Sequence, residues 1–330
     1  MKIFPRMAVL ALAASLYSSP GAHGQALAQD VDGRTTTLVV GYSPGSTFDF
    51  VARAIVQDAA ERAGHAIVIE NRAGAGGAIG NAHAAKAAPD GRTLLLGGAG
   101  SHAVTPAVRK GLPYDPEHDF VPIVGIASLP IMLVVPADSR FGSISELLAY
   151  ARENPGKLSF GSSGVGTSNH LAGELLKLRA GIDMVHVAYR DSNNMKIDLK
   201  AGRIDLIFDA LPSSMGMIRQ GAFKALATTS ARRAQALPEV PTFMEAGVKD
   251  FAVESWIGLF GPKGLAPAEV ARYEDAFGKA ATSPEGRAKL LGIGAEAIEM
   301  KSAAFGAMWL RDMRNWIDFV TRSGIKVSEF

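Results

Sequence analysis

The chain contains no cysteine among its 330 residues. Disulfides therefore cannot stabilise the fold, and no cysteine is available to carry a lipid. Charge of one sign is also lacking. Basic residues number 34 and acidic ones 32, for a net charge of +2 without a basic block, which excludes a nucleic-acid footprint. Long apolar runs are missing too: the run Met7–Leu16 falls well short of the roughly 20 residues that span a bilayer. His83, His102 and His186 are scattered, with no H-E-x-x-H pattern, so no metal centre and no cofactor is expected.

What is present fits an α/β protein. Hydrophobic residues make up 48% and charged ones 20%, and the length suffices for two domains with a large buried core. The first residues read as an export signal: Lys2 and Arg6 precede the apolar run, and Ala26-Leu27-Ala28 supplies an A-x-A site. Cleavage after Ala28 is expected, with a cut after Gly24 as the alternative, so residues 1–28 are assigned to the signal peptide and the mature chain to the periplasm.

Strand and helix patterns then alternate. Thr35–Val40 reads as a strand, and Ser46 or Thr47 can cap a helix whose buried face carries Phe48, Val51, Ala52, Ile55 and Ala59, ended by Gly64. A strand at His65–Glu70, a helix at Gly77–Ala87 and a strand at Thr93–Gly97 follow. The apolar stretch Val121–Val135, broken by Pro130, leads into a second set opened by the capping box Ser143-Ile144-Ser145-Glu146. That set runs through strands Lys157–Gly161, Met184–Tyr189, Ile204–Asp209 and Phe223–Thr228. A strand at Ser255–Phe260 and two closing helices, Pro267–Leu291 and Ser302–Arg322, complete the chain. Phe305, Met308, Trp309, Met313, Trp316 and Phe319 recur at helical spacing in the last helix and read as core.

Helical crossovers imply mostly parallel sheets with helices on both faces, one per domain. The domains are expected at 29–131, 132–228 and 229–330, the last returning to the first. Ligands of such folds sit beyond the carboxyl ends of strands, so the site is expected in the cleft between domains.

Four Gly/Ser-rich loops fall at such ends: 41–49, 97–102, 161–170 and 209–214. They bring backbone N–H groups and hydroxyls to helix N-termini, which hold an anion without reacting with it. Ser43, Ser46, Thr47, Ser101, Ser162, Ser163, Thr167 and Ser168 carry this reading, beside their ordinary use as turn formers and caps. His170 either enters the cleft or is a structural hydrogen-bonder. Arg190 either adds charge to the cleft, gripping a second anion, or lies solvated beside Asp191. The glycine run 74–80 departs from G-x-G-x-x-G, since Ile79 stands at its sixth position, and reads as close helix–strand approach rather than a dinucleotide site. Ser163 lacks the glycine at Val165 that a G-x-S-x-G elbow needs, leaving a secreted serine hydrolase on Ser163 and His170 as a weak rival.

The order of short motifs resembles a known family. The first loop with its helix, Glu70-Asn71-Arg72-Ala73-Gly74-Ala75-Gly76-Gly77, Ala88-Pro89-Asp90-Gly91, Leu112-Pro113-Tyr114-Asp115, Ser162-Ser163 through Glu174, Met184-Val185-His186-Val187 and Ala236-Leu237-Pro238 are its markers. Together they resemble the Bug family, the substrate-binding proteins of tripartite tricarboxylate transporters, over essentially the whole mature chain. The resemblance implies a type II-like periplasmic binding protein, two α/β domains closing on a small carboxylated ligand, and no enzymatic activity. It implies membrane permease subunits as partners, or an extracytoplasmic sensor kinase. Carried over, the ligand residues are Tyr42, Ser43, Gly45, Ser46, Thr47 and Asp49, then Ala99, Ser101 and His102, then Ser162, Ser163, Thr167, Ser168 and His170, with Arg190 and Asp209. The chain departs from the family at Gly41-Tyr42, Gly45-Ser46, Ala188-Tyr189-Arg190-Asp191 and Asp209-Ala210, which points to altered ligand specificity.

Overall fold

The computed structural model describes residues 33–165, 167–189, 192–323 and 328–329. The expected signal segment and Arg190 lie outside them. Among the described residues no helix is long and apolar enough to cross a membrane.

Two lobes each begin with three parallel strands. In the first, β1 (Thr35–Val40) lies between β2 (Ala66–Asn71) and β3 (Thr93–Gly98), connected by α1 (Thr47–Ala63) and α2 (Ala78–Ala85). The expected apolar face of α1 is buried, and Gly64, at φ 77°, ends the helix by donating to Ala60 and Glu61. A short α3 (Thr105–Val108) and β4 (Arg109–Lys110) precede the long β5 (Phe120–Pro136). In the second lobe come α4 (Ile144–Glu153), β6 (Leu158–Ser162), α5 (Ser168–Ala180), β7 (Met184–Ala188), α6 (Ser192–Lys200), β8 (Leu206–Ala210), α7 (Leu211–Arg219) and β9 (Phe223–Thr228). Here β6 pairs in parallel with both β7 and β8.

β5 belongs to both sheets. It pairs antiparallel with β10 (Glu254–Pro262) as far as Pro130, and from Ile131 onward with β8 and β9. Pro130, expected to break the strand, instead marks the handover. A residue without an N–H is tolerated where the ladder changes partner. β10 also pairs antiparallel with β3, so each sheet is mixed rather than purely parallel, with antiparallel strands where the chain passes between lobes. Met132 and Val134 pack with Ala234, Leu237 and Val240, so the segment after β9 adds its apolar side chains to the second lobe.

The first expected closing helix is two, α8 (Pro267–Thr282) and α9 (Pro284–Gly292). Ser283 caps α9 by accepting from Gly286 N at 3.0 Å, and Pro284 has no N–H to continue α8. β11 (Glu296–Lys301), which the sequence reading did not separate, then pairs with the first half of β5. On α10 (Ser302–Ser323) the apolar stripe is core: Phe305, Trp309, Met313 and Trp316 are buried, and Trp309 Nε1 donates to His102 O at 2.9 Å. β12 (Ser328–Glu329) pairs with β4.

Candidate ligand-binding cleft

A cavity of about 220 Å³ opens between the lobes and is lined by both. The first lobe contributes Tyr42, Ser43, Gly45, Ser46 and Thr47 from the loop into α1. The loop is fixed from behind. Asp49 is buried and accepts from Gly45 N at 2.9 Å, Arg53 Nε at 2.9 Å and Asn71 Nδ2 at 3.2 Å. Burial alone would raise its pKa, but these hydrogen bonds prevail and hold the carboxyl below the usual range. Ser46 accepts from Asp49 N at 3.3 Å, leaving the first amides of α1 open toward the cavity.

The glycine run joins the lining through Gly74 to Gly77, which the sequence reading assigned to packing alone. Both roles are present. A Cβ on Gly80 would lie 2.7 Å from Gly41 Cα, so the helix sits directly on the strand end. Gly76 and Gly77, at φ 67° and 98°, bend the backbone through the left-handed region that glycine tolerates, and Tyr42 Oη donates to Gly76 O at 3.1 Å.

From the second lobe Ser163, Thr167, Ser168 and Asp209 line the cavity. Thr167 caps α5: its Oγ1 accepts from His170 N at 3.3 Å and donates to Gly164 O at 2.8 Å. Ser168, the first residue of α5, differs. It is 6% exposed, and its hydroxyl is buried without a hydrogen-bond partner among the described residues. Leaving such a group unpaired costs about 1–3 kcal/mol, so a ligand acceptor at this helix N-terminus is favoured twice over.

Other expected residues lie behind the wall. Ala99, Ser101 and His102 are buried, because a turn of π-helix at Gly100–Val104 rotates them inward. Ser101 Oγ meets His102 Nδ1 at 2.9 Å, and His102 stacks on Phe260 at 4.3 Å, where burial pushes its pKa down to about 3. Ser162 is buried with Oγ 2.7 Å from His186 Nε2, and the His186 and His170 rings lie 4.2 Å apart. Burial and then His170 bring the His186 pKa down to about 4. Neither described serine–histidine pair lines the cavity, and Ser163, which does, has no histidine partner among the described residues. Among the described residues no cluster of three or more His, Asp or Glu side chains is placed to hold a metal.

Several lining residues were missed. Ser192 and Asn193 were not among the expected ligand residues, and Ser213 lay in a recognised loop without being singled out. Thr105, Leu129 and Ser255 reach the cavity through the β3–β10–β5 order, which local sequence does not reveal.

Comparison with known proteins agrees with this architecture. The family model described as "Tripartite tricarboxylate transporter family receptor" matches residues 51–322. A UPF0065 protein from the tcbD-tcbE intergenic region of a Pseudomonas species is 46% identical over 253 residues, covering 76% of this chain and 75% of its own. Among solved structures, R. palustris Rpa4515 with adipate superposes with a TM-score of 0.85 at 33% identity, covering 91% of this chain and 100% of its own. The periplasmic binding protein BugD gives 0.82 at 29%, covering 90% and 99%. The chain belongs to the tripartite tricarboxylate transporter receptor family, the Bug proteins, whose members are solute receptors rather than enzymes.

Proposed function

We propose that the chain captures a small organic carboxylate in the periplasm and delivers it to the separate membrane permease subunits of a tripartite tricarboxylate transporter. The observation that carries this reading is the buried, unpaired Ser168 hydroxyl at the start of α5, on a residue that lines a cavity whose opposite wall includes the first residues of α1. No arginine, lysine or histidine lines the cavity among the described residues, so amides, hydroxyls and helix N-termini supply the attraction. Ser43, Ser46, Thr47, Ser163 and Ser168 are the proposed gripping residues. Asp49, Thr167, Ser162 and the His170–His186 pair hold their loops in place. A structural neighbour holding adipate supports a carboxylate as the ligand.

Closure of the lobes about the paired β5 and β10 is the proposed working motion. The proposed hinge divides the described residues into 33–130 with 254–323 on one side and those of 131–253 on the other. A sensor kinase reading the closed form would use the same cleft; solute uptake that survives deletion of the kinase but not of this chain assigns transport.

A thermal-shift screen of the mature protein against carboxylates tests the reading. At least one acid, at a hundred times its dissociation constant, should stabilise the fold by about 2.7 kcal/mol. A library-wide absence of shift contradicts it.

A further inference from the structure

A cavity that holds an anion gains nothing from a carboxylate in its own wall, yet Asp209 lines this one and is the only charged side chain that does so among the described residues. It sits at the end of β8, 3% exposed. Its charge is answered from behind. Ser214 Oγ donates to Oδ2 at 2.7 Å, and Lys196 Nζ lies 3.4 Å from the same oxygen. Lys196 is itself buried and also donates to the backbone and side-chain oxygens of Ser213. This corner is therefore close to neutral overall. All of these contacts fall on Oδ2, and Oδ1 has no hydrogen-bond partner among the described residues.

A purely structural aspartate, anchoring Lys196 and the start of α7, would need Oδ2 alone. An unpartnered carboxylate oxygen in a ligand cavity calls instead for a donor from the ligand. A second carboxylate cannot supply one and would face Oδ1 with like charge. The neighbouring hydroxyls fit the same demand. Ser213 Oγ accepts from Lys196, so its own proton goes to Ser192 Oγ, 3.1 Å away, or into the cavity, leaving Asp209 as the acceptor of the corner.

We propose that Asp209 Oδ1 recognises a hydrogen-bond donor on the ligand, so that the receptor selects hydroxy or amino acids over the unsubstituted acid. The proposal rests on the carboxylate reading above. Calorimetric titration of the mature protein with three matched series tests it: propionate, lactate and alanine; succinate, malate and aspartate; phenylacetate, mandelate and phenylglycine. In any series that binds, the hydroxy or amino member should bind at least tenfold tighter than the plain acid, and Asp209→Asn should reduce that ratio to within threefold. The amide oxygen of Asn still accepts from a hydroxyl, so a ratio lost mainly for the amino member identifies an ammonium and one lost for both identifies a geometric demand for the carboxylate.

Plain acids that bind as tightly as their substituted partners overturn the proposal while leaving the carboxylate reading intact. Equal weakening of all members by Asp209→Asn also overturns it, in favour of a structural anchor. No binding in any series contradicts the carboxylate reading itself. Should the variant fail to fold, the wild-type ratios alone decide.

Discussion

The two lobes meet the ligand with different materials. The first presents backbone: a loop tied down by Asp49 and a glycine run pressed against Gly41, with Gly76 and Gly77 in left-handed conformation. The second presents side chains: the hydroxyls of Ser163, Ser168, Ser192 and Ser213, and the Asp209 carboxylate backed by Lys196. Backbone amides attract any carboxylate, whereas hydroxyls and an acceptor depend on what else the ligand carries. Both lobes therefore hold the carboxylate, the first through the loop into α1 and the second through Ser168 at the start of α5, and the second alone adds selectivity, through the acceptor Asp209.

The comparison breaks most severely at Gly80. A Cβ there meets backbone on both sides, Gly41 Cα at 2.7 Å and Arg72 O at 3.1 Å, and neither can move without displacing the loop. Gly80→Ala should destabilise the fold by about 1–3 kcal/mol and weaken binding of every acid by a similar factor. Urea unfolding and titration calorimetry check both halves, and retained selectivity at reduced affinity would agree with the division of labour.

Ser168→Ala should weaken carboxylate binding tenfold or more, the equivalent of about 1.5–3 kcal/mol for a lost charge-assisted hydrogen bond. Unliganded, the variant should be as stable as the parent or more so, because it removes an unpaired buried hydroxyl. A loss of apo stability would show that the hydroxyl has a partner in the free protein.

Titration sharpens the contrast between lobes. His186, in the second, has a folded pKa near 4 against about 6.5 unfolded. The unfolded chain therefore takes up the proton first, so stability is full above about pH 6.5 and declines as pH falls toward 4. His186→Gln should flatten the fall in melting temperature between pH 7 and 5. Asp49, in the first lobe, has its pKa depressed by its hydrogen bonds despite burial, so its contribution is present above the ordinary carboxylate pKa and is lost only as pH drops through the lower folded value. Asp49→Asn should weaken all acids by several-fold near neutral pH through the loosened Gly45 loop, without changing their order of affinity.

Legibility in the sequence followed range. Local signals were reliable: the α1 face, the Ser46 cap and the α10 stripe are as read, because capping and periodicity act within a few residues. Loop residues were identified by type, but not by which way each points. Ser101 and Ser168 look alike in sequence and both are buried, yet Ser101 pairs with His102 behind the wall while Ser168 belongs to the cavity lining with its hydroxyl unpaired among the described residues. Lining residues brought in by non-local strand order, such as Leu129 and Ser255 on the paired β5 and β10, left no local trace.

The central claim is that a cleft without cationic side chains among its described residues holds a carboxylate through amides and hydroxyls. Calorimetric titration with the tightest-binding acid and its matching amide tests this most directly. The account predicts that the amide binds at least tenfold more weakly, because it brings no charge to the helix N-termini and to Ser168. Equal affinity for acid and amide would contradict it.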